Sequence, residues 1–178
     1  MNKQVVVISS SPRKGGNSDS LCDEFIKGTE SAGHSVEKIS LRSQKINYCT
    51  GCGVCYNTKV CPQKDDMPEI LDKMITADVI VLASPIYFYT MCGQMKTLID
   101  RCCSRYTEMS NKEFYYILTA ADPVPEAIDR AINEFQGFLE CLENPQEKGT
   151  ICGVGIWNKG EVNGKPYMQE AFNMGKNI

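Results

Sequence analysis

Three runs of apolar residues with no polar alternation dominate the chain: VVVI at 5–8, VIVLA at 79–83 and FYYIL at 114–118. A half-exposed strand would alternate apolar and polar residues, so continuous runs of this length point to strands buried on both faces, as in a parallel sheet covered by helices. A weaker run at 36–41, carrying Val36, Ile39 and Leu41, and a last one at 151–157 complete five expected strands.

The stretches between them have helical periodicity. Leu21, Phe25 and Ile26 share a face behind a candidate cap at Ser18, and Gly33 closes that helix. Ile70, Leu71, Met74 and Ile75 mark a second helix, and Met95, Leu98, Ile99 and Cys102 a third, at i, i+3, i+4 and i+7. A fourth carries Ala127, Ile128, Ala131, Ile132, Phe135, Phe138, Leu139 and Leu142, and a weakly patterned fifth begins near Pro166 or Met168. Strict alternation of strand and helix implies right-handed crossovers, hence an α/β fold: a doubly wound five-stranded parallel sheet with helices on both faces. We expect one domain over residues 1–178, with a cysteine-rich insertion at about 42–66.

A formal net charge of -3 gives no electrostatic footprint for nucleic acid, and no basic cluster suits a membrane surface. The first apolar run is too short for a signal-peptide core, and no segment approaches the length of a spanning helix, so a cytoplasmic protein is expected. Thiols stay reduced in that compartment. Ten cysteines then read as metal ligands, redox groups or small buried residues before they read as a disulfide framework.

In a doubly wound sheet, ligands bind beyond the carboxyl ends of the strands, where the strand order reverses. Two loops stand out there. SSSPRKGGNS, residues 9–18, offers hydroxyls, glycines, a guanidinium and a helix start, a set suited to phosphate. It has neither the Walker A spacing nor Gly-x-Gly-x-x-Gly, which favours a mononucleotide over a dinucleotide. SPIYFYTMCG, residues 84–93, puts three consecutive aromatics at a strand end, where flat side chains suit a planar heteroaromatic ring.

These residues resemble the flavodoxin-like NADPH-dependent FMN reductases, and within them the iron–sulfur flavoproteins. SSSPRKGGNS is similar to that family's phosphate loop, SPIYFYTMCGQMKTLIDR to the loop and helix beside its flavin ring, and CTGCGVCYNTKVC followed by KDDM to the cluster segment of the subgroup. The resemblance implies FMN with its phosphate on Ser9, Ser11, Arg13, Asn17 and Ser18. It places the ribityl chain and ring against Pro85, Ile86, Tyr87 and Phe88, with Thr119 and Ala120, followed by Ala121 and Asp122, near the pyrimidine edge. It further implies NAD(P)H as electron donor, a quinone, flavin, other small molecule or ferredoxin-like carrier as electron partner, and a homodimer or homotetramer. No catalytic side chain is expected, because the flavin carries the chemistry. The lone His34, at a helix–strand turn, reads as an ordinary surface residue.

Cys49, Cys52, Cys55 and Cys61 follow the spacing C-x2-C-x2-C-x5-C. Such short intervals let thiolates converge on a 4Fe-4S cluster, with Gly51 and Gly53 giving the backbone freedom to wrap it. The same spacing is compatible with an oxidisable dithiol loop and, less well, with zinc. Cys22, Cys102, Cys103, Cys141 and Cys152 are expected in the core, and Cys92 in the loop that faces the flavin. Two functional classes remain open: an FMN-dependent oxidoreductase with a small acceptor, and a dedicated electron-transfer or redox-sensing flavoprotein without one.

Overall fold

The computed structural model describes residues 2–178. The strands are β1 (Gln4–Ser9), β2 (Ser35–Ser40), β3 (Val79–Tyr87), β4 (Thr90–Met91), β5 (Glu113–Thr119) and β6 (Gln146–Gly153). The α-helices are α1 (Asn17–Ser31), α2 (Val54–Thr58), α3 (Met67–Thr76), α4 (Gly93–Arg101), α5 (Asp129–Leu139) and α6 (Pro166–Lys176). Five strands pair in parallel in the order β2-β1-β3-β5-β6, while β4 folds back antiparallel on the end of β3. The order reverses between β1 and β3. The carboxyl ends of those two strands therefore define the crevice.

Alternate residues of the central strands serve the two faces. Val6, Ile8, Ile80, Leu82, Phe114, Tyr116 and Leu118 pack with α3, α4 and α5, whereas Val5, Val7, Val79, Val81, Tyr115 and Ile117 pack with α1 and α6. The second layer is unusually close. A Cβ added to Gly28 of α1 would lie 2.0 Å from the Phe172 carbonyl oxygen, and one on Gly175 of α6 would lie 2.0 Å from that of Phe25. Both helices touch backbone to backbone, which only residues without a side chain permit.

Several expectations need correction. The last strand runs over 146–153 instead of 151–157, because it lies at the sheet edge and its first residues, Gln-Glu-Lys, are exposed. Helix α1 starts at Asn17 with Gly16 as its cap, so Ser18 lies inside the first turn. Within the cysteine segment α2 forms a short helix with no buried residue, which leaves no apolar periodicity to read. Cys22 and Cys102 are buried as expected, Cys103 and Cys152 are half-buried, and Cys141 is exposed because α5 ends two residues before it. His34 is half-buried and its Nδ1 accepts the Lys3 backbone N–H at 3.0 Å. No helix among the described residues is long and apolar enough to cross a membrane.

Candidate functional site

The loop after β1 is braced from below. Ser10 donates its N–H (2.9 Å) and its hydroxyl (2.7 Å) to the Ala83 carbonyl of β3. Gly15, at φ +63°, gives its N–H to Asp19 Oδ2 at 2.9 Å, and the Ser9 hydroxyl donates to Asp19 Oδ1 at 2.8 Å. Asp19 is itself buried and lies 2.7 Å from Lys38 Nζ. Burial pushes its carboxyl up, but Lys38, the Gly15 N–H and Ser9 outweigh that and hold it below the ordinary value. The loop thus rests on a neutralised carboxylate. Its walls are tight: a Cβ on Gly16 would meet Ser11 Oγ at 2.5 Å.

At the mouth of this loop α1 begins with no side-chain cap, leaving first-turn N–H groups without an intrahelical partner. The Ser18 hydroxyl, although buried, has no hydrogen-bond partner among the described residues. A buried hydroxyl without a partner costs on the order of 1–3 kcal/mol. A phosphate at this helix start would satisfy both features, so the residues present fit the phosphate of FMN.

The other expected phosphate residues divide. Ser9 is committed to Asp19 and Ser11 to the Arg13 backbone. Asn17 does not offer its side chain to a ligand. Its amide donates to the Ile156 (3.4 Å) and Asn158 (3.0 Å) carbonyls and accepts from the N–H groups of Gly160 (3.1 Å) and Val162 (3.4 Å). Only its backbone N–H remains for the helix start. Arg13 is exposed and its Nη1 donates to the Trp157 carbonyl at 3.3 Å.

The segment that Asn17 fastens was invisible to sequence reasoning as part of the site. Lys159 brings its side chain against Gly15, its Cε 3.4 Å from where a Cβ would stand, and adds a cation beside the phosphate loop. Trp157, 71% exposed, is not the end of a strand; it lines a cavity of about 360 Å³ together with Ile86, Tyr87, Phe88, Ala120 and Asp122. Of the expected ring-side residues, Ile86, Tyr87, Phe88 and Ala120 meet there. Pro85 and Thr119 are buried register partners at the strand ends and do not line it.

Phe88 and Tyr89 form the two-residue turn between β3 and β4, with φ +51° and +66°. A tight hairpin turn with both central residues left-handed favours Asn-Gly; bulky aromatics there carry strain on the order of 1–3 kcal/mol each. Tyr89 holds the turn: its hydroxyl meets Asp122 Oδ2 at 3.1 Å, and the Arg130 guanidinium sits over its ring, 5.7 Å from the centroid. Phe88, 98% exposed, projects beside the cavity. Cys92 does not face that cavity; it is buried behind the phosphate loop with its thiol on the Ser10 hydroxyl at 3.0 Å.

On the other side of α4 lies the cysteine segment. Its ends are clamped: buried Arg101 donates to Asp65 through Nη1 (2.6 Å) and Nη2 (3.0 Å) and to the Asn47 carbonyl (2.6 Å). Burial raises the Asp65 carboxyl, but Arg101 and the Asn47 and Met67 N–H groups win and hold it low. Cys49 and Cys52 are exposed, Cys55 and Cys61 half-buried. Burial and the neighbouring Cys103 push the Cys55 thiol up, and Cys61 lies beside Arg101. The donor chemistry suits a cluster, but among the described residues no three His, Cys, Asp or Glu side chains converge to hold a metal. This arrangement of the segment does not fit the cluster.

A family model described as NADPH-dependent FMN reductase matches residues 4–137. An iron–sulfur flavoprotein of Archaeoglobus fulgidus is 46% identical over 98 residues, 55% of this chain and 44% of that one. An iron–sulfur flavoprotein of Methanocaldococcus jannaschii is 43% identical over 98 residues, 55% of this chain and 51% of that one. The match therefore spans about half the length of these relatives. Among solved structures, a flavone reductase shares the fold, with a TM-score of 0.75 at 21% identity over 98% of this chain and 61% of that one.

Proposed function

The chain belongs to the NADPH-dependent FMN reductase family, and from that premise we propose that it is an FMN-dependent oxidoreductase that takes electrons from NAD(P)H and passes them to a quinone, flavin or other small acceptor. One observation carries the reading: an orphaned Ser18 hydroxyl at a helix start and a ring-sized cavity flank the β1/β3 crevice, with the segment around Trp157 joining the two.

Bound FMN would supply the hydride chemistry. Ser18, the α1 N–H groups, Arg13 and Lys159 would hold its phosphate by charge-assisted hydrogen bonds. Ile86, Tyr87, Ala120 and Trp157 would position the ring and keep water from one side of it, while the side at exposed Phe88 stays open for donor and acceptor in turn. That openness supports a cycle in which one substrate leaves before the next arrives. The same exposed aromatic supports a homo-oligomer in which a second copy would border the open side at Phe88 without closing it; sedimentation of Phe88→Asp against the parent chain tests this. No step runs through a cluster.

The test is an anaerobic titration of the FMN-loaded chain with NADH and NADPH. Bleaching of the flavin band, restored by a quinone, is expected. Colourless protein that cannot be loaded with FMN overturns the reading.

A further inference from the structure

We propose that Cys55 and Cys103 form a redox-active dithiol that closes to a disulfide on oxidation. Cys103 lies outside the C-x2-C-x2-C-x5-C spacing and enters the thiol-rich region from a different element, the turn Cys102–Ser104 that ends α4. Helix α2 packs on that turn and brings Cys55 against Cys103.

Both partners are carried on fixed supports. Buried Cys102 anchors one side of the turn, its thiol on the Leu98 carbonyl at 3.3 Å, and the buried Arg101–Asp65 pair immediately before it clamps the cysteine segment. Cys103 lines a cavity of about 700 Å³ bounded by α4, α5 and the cysteine segment, whereas Cys55 does not. A small peroxide in the cavity therefore has access to Cys103, and to Cys49 and Cys141 of the same lining, but not to Cys55.

The step balances with hydrogen peroxide as oxidant. The Cys103 sulfur attacks one peroxide oxygen, the O–O bond breaks, water leaves, and Cys103 becomes a sulfenic acid. The Cys55 sulfur then attacks the Cys103 sulfur, the S–O bond breaks and a second water leaves. Two thiols lose two electrons and two protons; one peroxide is reduced to two waters. A sulfur held in that bond cannot serve as a metal ligand, so the two uses of Cys55 exclude each other. The inference is independent of the flavin site.

The full chain, kept anaerobic and reduced after chelation of any bound iron, is treated with stepwise hydrogen peroxide, alkylated and digested without reductant. Mass spectrometry should find a Cys55–Cys103 linked peptide as the dominant cross-link and a loss of two alkylatable thiols, both reversed by reductant. Cys103→Ser should leave Cys55 free to alkylate, while Cys141→Ser, altering another thiol of the same cavity, should leave the link intact. A dominant link among Cys49, Cys52, Cys55 and Cys61, a Cys103–Cys141 link, or over-oxidation of Cys103 with Cys55 still free would overturn the proposal.

Discussion

Arg101 and Asp65 face each other fork to fork, at 2.6 and 3.0 Å, with both side chains out of solvent. Removing one partner of such a pair strands the other charge in the interior, which costs about 3–5 kcal/mol. Asp65→Asn should therefore lose stability of that order in urea denaturation. The double change Asp65→Leu with Arg101→Met should recover part of it, since no charge is left unpaired although the hydrogen bonds to Asn47 and Met67 are lost.

Acid should act through the same group and through Asp19. Both carboxyls lie below their ordinary value when folded, so their stabilisation is complete above the unfolded value, about 3.9 for Asp. It is lost as pH falls below that through the folded values. Thermal melts should be level near neutrality and fall steeply in that acid window, and Asp19→Asn should flatten part of the fall.

Ser18→Ala separates binding from folding. In the FMN-free chain the hydroxyl has no partner, so its removal should leave stability unchanged or raise it. Affinity for FMN should fall by about 1.5–3 kcal/mol, the range for a hydrogen bond to a charged group. Arg13→Ala should weaken FMN by a similar amount; a titration showing no change in either variant would remove the phosphate from this loop.

Gly28→Ala tests the contact between α1 and α6. Alanine would favour the helix by about 1 kcal/mol on propensity alone. Here its methyl would collide with the Phe172 carbonyl, and overpacking of about 1–3 kcal/mol should reverse the sign. A lowered melting temperature is expected.

Replacing Phe88 and Tyr89 by Asn-Gly should relax the β3–β4 turn, the strain released at two positions outweighing the lost Tyr89 contacts to Asp122 and Arg130 by about 1–3 kcal/mol. It removes aromatic walls of the ring cavity as well, so FMN affinity should drop. Stability and binding moving in opposite directions would identify the strain as serving the site.

The sheet was readable because β1, β3 and β5 are buried on both faces, so burial wrote itself as unbroken apolar runs. β6 was misplaced for the converse reason: an edge strand starting Gln-Glu-Lys carries no such mark. The two candidate loops at the crevice could be picked out because the crevice rule and local residue chemistry act over short spans. Asp19, Lys159 and Trp157 were not, because each acquires its role from a partner elsewhere in the chain: Lys38, Gly15 and Arg13. Asn17 was assigned to phosphate, when its side chain is spent on a segment some hundred and forty residues downstream.

That fastening sets a timetable for the chain as it is made. Strand β1, the phosphate loop and the aromatic hairpin leave the ribosome early, but the wall around Trp157 closes only when residues 156–162 emerge to meet the Asn17 amide. An FMN site at this crevice would therefore be complete only once residues 156–162 have emerged, and a nascent chain halted before that segment would hold an open half-site.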